Sequence, residues 1–182
     1  MRSHFITSGL AIALAFSGVI VPAMGQPIDR TIAQVEKTSE IDRAIVEGNR
    51  LFKEGSAESL RKAIGQFEKA LELARSAQAK DKQALSLLFL GKIYYALGEK
   101  QKALEYFNQA LPLLRAVGDR GGEAATLNNI GGVYDALGEK QKALEYYNQA
   151  LPLLRAVGDR GGEATTLNNI GGVYDALGEK QK

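Results

Sequence analysis

The sequence predicts an all-α protein, an α-solenoid of antiparallel helix hairpins, on three observations. "ALGEKQKALEYFNQALPLLRAVGDRGGEA" at 96–124 returns at 136–164 with one change, Phe107 to Tyr147. A fixed internal period of this length marks stacked repeats rather than one closed core. Within each period the apolar residues recur at helical spacing. Glycines then fall where helices end, at Gly98, Gly138 and Gly178 and again at Gly118 and Gly158, where a left-handed residue can close a helix without Cβ strain. A hairpin this small cannot bury its own apolar face, so neighbours must stack.

Taken in order, residues 1–25 differ from everything after them. Arg2 precedes "FITSGLAIALAFSGVIVPA", an uncharged apolar run, and Ala23 and Gly25 are the small residues ahead of Gln26. That is the pattern of a secretory signal peptide cleaved near Gly25, so the chain is expected to be exported, periplasmic or extracellular. The alternative is an uncleaved anchor over residues 5–24, about the length that spans a bilayer; a membrane enters only in that case. Residues 26–38 read as a polar linker.

Residues 39–80 read as a divergent first helix hairpin. Ile41, Ala44, Ile45, Leu51 and Phe52 suit one apolar face. After the break "EGSAES", Leu60, Ala63, Ile64, Phe67, Ala70, Leu71 and Ala74 suit a second. Sharper units follow at 81–120 and 121–160, with an incomplete one at 161–182. Asp119 and Asp159 sit where an N-cap belongs, and Glu123 and Glu163 lie in the first turn near the positive end of the helix dipole. Pro112 and Pro152 fall inside the second helix of a unit, where each removes a hydrogen bond and is expected to bend the helix.

Composition narrows the chemistry. The chain has 182 residues, a net charge of +2, no Cys and one His, and that His4 lies in the signal segment. The charges are interspersed and form no basic block, so nucleic acid is not an expected partner. Thiol catalysis, disulfides and Cys-based metal sites are excluded, and a His-based triad is absent after residue 25. No phosphate-cradling glycine loop follows a strand. No catalytic, metal-binding or cofactor-binding residue is expected, and the chain does not read as an enzyme.

Within "LNNIGGVYDALGEKQKALEYYNQAL", the residues Leu127, Ile130, Gly131, Tyr134, Ala143, Tyr147 and Ala150 form a pattern. It is shared by Leu87, Leu90, Gly91, Tyr94, Ala103, Phe107 and Ala110, and by Leu167, Ile170, Gly171 and Tyr174. The pattern resembles the tetratricopeptide repeat, strongly over 81–182 and loosely over 39–80, where the Leu-Gly turn is missing. The period exceeds the usual 34 residues and is similar to the longer-helix repeats of the kinesin light chain and of spindle-orientation proteins. The resemblance implies a superhelix of hairpins that holds extended peptides in a concave groove.

Two glycines and two asparagines inside one helix cost roughly 3 kcal/mol of propensity relative to alanine, and the sequence repeats that cost. Gly131 and Gly171 are expected to face the second helix of their own hairpin, where a side chain would overpack. By the register of the resembled fold, Asn128, Asn129, Gly132 and Asp135 point toward the groove, as do Asn168, Asn169, Gly172 and Asp175. The preceding unit offers Lys92 and Tyr95 there. An amide presents donor and acceptor together and can pair with a peptide backbone whatever its side chains. The alternatives are that an Asn only bonds a neighbouring helix and that Gly132 is a passive copy.

The expected partner is a protein or peptide segment bound in that groove. Two other readings stay open. Exported proteins with such near-identical arrays resemble the CHAT family, in which repeats precede a caspase-like peptidase domain; the chain would then be the recruiting arm of a truncated peptidase. The third unit also lacks its second helix, and that uncapped end could associate with another copy.

Overall fold

The computed structural model describes residues 28–178; the expected signal segment lies outside the described residues. Seven helices follow one another: α1 (Ile28–Glu54), α2 (Ala57–Ser76), α3 (Lys80–Ala96), α4 (Lys100–Val117), α5 (Arg120–Ala136), α6 (Lys140–Val157) and α7 (Arg160–Ala176). None of the described residues forms a strand, and no described helix is long and apolar enough to cross a membrane. Residues expected as a polar linker are helical from Ile28 onward. That stretch carries no Gly or Pro before Gly48 and is rich in straight-chain residues, so propensity extends α1 as a solvated arm, with Ile32 and Val35 exposed.

Each hairpin joins an odd helix to the even helix after it, and each even helix packs in turn on the next odd helix. The core therefore runs along the array as four neighbouring clusters, bridged by the partly buried Tyr94, Tyr134 and Tyr146. Ala103, Leu104 and Phe107 of α4 share one cluster with Ile130 and Val133 of α5, and α6 meets α7 through Tyr147, Ile170 and Val173. Among the described residues the odd helices also touch each other in sequence, α1 to α3 to α5 to α7, whereas α2, α4 and α6 do not. The stack thus curves with its odd helices on the inner side.

The turns show why the chain breaks where it does. Gly98, Gly118, Gly138, Gly158 and Gly178 all have positive φ, between 72° and 81°. At Gly118 the closure is of the left-handed type, with the Asp119 N–H donating to the Leu114 carbonyl at 3.0 Å. The first hairpin lacks this glycine, and Gln78 takes the left-handed place with φ 55°. The Ala79 N–H donates back to the Ala74 carbonyl at 2.9 Å in the same pattern. Asp119 and Asp159 cap their helices, each accepting from the N–H three residues on, Gly122 or Gly162, at 2.8 Å. Ser56 does the same for α2 through the Ser59 N–H.

Glycine inside the odd helices admits an aromatic ring. A Cβ on Gly131 would lie 2.6 Å from Cε1 of Tyr147, one on Gly91 2.5 Å from Phe107, and one on Gly48 2.8 Å from Phe67. The contact is glycine to ring, not backbone to backbone. Gly171, expected to make the same contact, has nothing within 4 Å, because none of the described helices lies over it. Pro112 and Pro152 sit on the exposed side of α4 and α6, and both helices run through them from Lys100 to Val117 and from Lys140 to Val157.

Candidate peptide-binding face

The inner side of the curve is built from α1, α3, α5 and α7, and all ten residues singled out in the sequence lie on the last three. On α3, the Lys92 ammonium sits over two rings, 5.4 Å from the centre of Phe52 and 5.1 Å from that of Phe89. Phe89 stacks on Phe67, so Lys92 closes an aromatic cluster that joins α1, α2 and α3. Three residues on, Tyr95 is 42% exposed, a large aromatic left at the surface. Its hydroxyl approaches the Gly132 carbonyl of α5 at 3.5 Å, long for a hydrogen bond.

On α5 the two asparagines differ. The Asn128 Oδ1 lies 2.9 Å from the Thr166 hydroxyl of α7, whose single proton it shares with the Gly162 carbonyl. Asn128 therefore ties two odd helices together, which is the neighbour-bonding role weighed for it in the sequence. The Asn129 side chain makes no hydrogen bond among the described residues and is half-buried. Asp135 pairs with the Lys140 ammonium at 2.6 Å across the turn into α6. Lys100, from the start of α4, donates to the Ala136 carbonyl at 2.6 Å, placing a cation at the negative end of α5. Two lysines of the "GEKQK" runs thus serve as stitches between helices.

On α7, Asn168, Gly172 and Asp175 are exposed and Asn169 is half-buried. The same residue types on α5 are all half-buried, since α5 has an odd helix on each side and α7 has one. Gly172 has nothing within 4 Å of the place its Cβ would take. A Cβ on Gly132 would meet only two atoms, the hydroxyl oxygens of Tyr147 at 3.7 Å and Tyr95 at 4.0 Å, both at ordinary contact distance.

Sequence reasoning did not find Thr126 and Thr166, both fully buried and both donating back to the carbonyl four residues earlier. Nor did it find the Tyr147 hydroxyl, although the one difference between the two long repeats marks it. Tyr134 stacks on Tyr146, and Tyr94 on Tyr106, so these tyrosines act in packing. None of the described residues forms a His, Cys, Asp and Glu cluster that could hold a metal ion.

These features define a helix-hairpin solenoid with an inner face of polar and aromatic groups. The family pattern of the tetratricopeptide repeat matches residues 56–116, 113–156 and 122–182; the chain belongs to that family. No curated protein sequence matches it. Among solved structures, the repeat domain of FLU from Arabidopsis superposes with a TM-score of 0.61 at 22% identity, over 66% of this chain and 98% of that one. A signal-transduction ATPase of the STAND type with a tetratricopeptide-repeat sensor, from Pyrococcus horikoshii, gives 0.65 at 24% identity over 81% of this chain. The chain spans 23% of the length of that ATPase. BtubC from P. vanneervenii gives 0.51 at 20% identity, over 80% and 67% of the two chains. At these identities the likeness is one of fold.

Proposed function

We propose that the chain is an exported scaffold that holds an extended peptide segment of a partner protein against its inner face. One observation carries this reading. The inner helices present polar side chains that packing does not use: Asn129, Asn168 and Asn169 make no hydrogen bond among the described residues, and Tyr95 on α3 is exposed. Such groups on a rigid curved surface can pair with the main chain of a ligand at little ordering cost. Export rests on the apolar segment at residues 5–24 and the small residues after it.

The test is selection from a random peptide library displayed on phage, followed by affinity measurement on the selected peptide. Replacing Asn129, Asn168 and Asn169 together by alanine is expected to weaken binding at unchanged helicity by circular dichroism. Unchanged affinity would sink the groove reading.

A second reading, self-association, is favoured by one contrast. Leu127 on α5 is 1% exposed, whereas Leu167 at the same register on α7 is 44% exposed. Among the described residues nothing covers this apolar side chain, and another copy can supply cover by exchanging an element.

A further inference from the structure

We propose that the Tyr147 hydroxyl, reached through the gap left by Gly132, is a binding group of the inner face and donates to a main-chain carbonyl of the bound segment. This rests on the groove reading and names one contact within it.

Three observations converge on this spot. First, Tyr147 is 2% exposed, yet its hydroxyl makes no hydrogen bond to any described residue. No buried polar side-chain atom of the described residues lacks a partner, so this oxygen reaches the surface; in the matching place the preceding repeat has Phe107, whose ring packs on Gly91 as Tyr147 packs on Gly131. Packing therefore needs the ring and not the oxygen.

Second, Gly132 has no packing reason. A Cβ there would touch only the Tyr147 and Tyr95 hydroxyls, at 3.7 and 4.0 Å, and the matching residue of α3 is Lys92, whose long side chain is accommodated. Glycine in a helix interior is less favourable than alanine by about 1 kcal/mol. What it does here is leave open the space above two hydroxyls. Two of the departures from the preceding repeat, glycine for lysine at 132 and tyrosine for phenylalanine at 147, meet at one point.

Third, the surroundings select a neutral acceptor. Burial, and after it the charges of Asp135 and Tyr95, push the Tyr147 pKa up to about 12, so the hydroxyl keeps its proton. Asp135 pairs with Lys140 at 2.6 Å, yet its negative field still reaches Tyr147. That field works against a ligand carboxylate, whereas an amide carbonyl accepts from Tyr147 and brings no charge. Tyr95, 42% exposed, flanks the same gap with a second hydroxyl.

The experiment uses the full chain and a peptide selected from the phage library. Tyr147→Phe and Gly132→Ala are each expected to weaken that peptide about three- to tenfold, the range one hydrogen bond spans. Both variants should fold, since Phe already occupies the site in the preceding repeat and the Ala Cβ meets only ordinary contacts. Replacing the peptide's amides by esters one at a time should reveal a position that weakens binding to the wild type but not to Tyr147→Phe. If the triple asparagine variant loses affinity while Tyr147→Phe does not, the hydroxyl assignment is overturned and the groove stands. If neither loses affinity, or no peptide is selected, both are overturned. If the sensitivity lost in Tyr147→Phe maps to an Asp or Glu of the peptide, the main-chain assignment is wrong.

Discussion

The Tyr147 ring lies across Gly131 so closely that a Cβ there would sit 2.6 Å from Cε1 and 2.7 Å from Cδ1. The ring is held between two helices and cannot swing away as a flexible side chain would. Gly131→Ala must therefore displace α6 from α5, at an overpacking cost of about 1–3 kcal/mol against a propensity gain of about 1 kcal/mol. The net expectation is destabilisation, read as a lower urea midpoint. Gly132→Ala and Gly171→Ala meet no close atom and should each raise the midpoint, by about 0.5–1 kcal/mol. Three neighbouring or equivalent glycines thus give opposite signs. A destabilised Gly171→Ala would show that something covers α7 in solution.

Gln78 occupies the left-handed conformation, at φ 55°, that glycine holds at the other turns. A side chain there costs about 1–2 kcal/mol relative to the right-handed region. Gln78→Gly is expected to stabilise the first hairpin by about 1 kcal/mol, seen as slower amide exchange in α2. Gly98→Gln, the reverse change at φ 81°, should destabilise by a comparable amount.

Asp119 and Asp159 each accept from a first-turn N–H at 2.8 Å, whereas Glu99 and Glu139, at the starts of α4 and α6, make no such bond. Asp119→Ala should cost about 1 kcal/mol. Glu139→Ser should gain a few tenths by supplying an oxygen of the right reach. Thermal midpoints of the two variants are expected to move in opposite directions.

Tyr147 gives a pH signature. Its folded pKa, pushed up to about 12 chiefly by burial, lies above the ordinary 10.0. Below pH 10 both folded and unfolded chains keep the proton, and stability does not depend on this group. Between pH 10 and 12 the unfolded chain loses the proton first, so stability falls as pH rises. Tyr147→Phe should flatten that fall, which urea midpoints measured across the window will show. A wild-type slope unchanged by the substitution would mean that the phenol titrates as if exposed.

The fold was legible because several signals agreed: a repeated block, helical spacing of apolar residues and glycines at the turns. Gly98 and Gly118 close helices as the sequence implied, and Asp119 caps as its position required. The start of α1 was not legible, since a solvated helix of polar residues has no apolar stripe to announce it. The inner face was legible only as a set of residue types. Whether an asparagine is free depends on what the neighbouring helix offers: Thr166 engages Asn128, and the residue beside it has no such partner. The Tyr147 hydroxyl emerges at Gly132, on another helix fifteen positions earlier, and only the stacking of α5 on α6 brings them together.

Leu127 and Leu167 share a register but differ in cover, 1% against 44% exposed. Leu127 packs with Leu111, Ala150 and Leu154, from the even helices on both sides of α5. Leu127→Ala removes buried methyl groups and leaves a cavity, so a loss of about 2–5 kcal/mol is expected. Leu167→Ala at a surface site should change stability by no more than about 0.5 kcal/mol. The second substitution is the informative one. If another copy covers α7, Leu167 is buried in the assembly, and its replacement by Lys will lower the mass seen by light scattering at high concentration. A mass that is monomeric in the wild type and unchanged in Leu167→Lys would rule out self-association through this face.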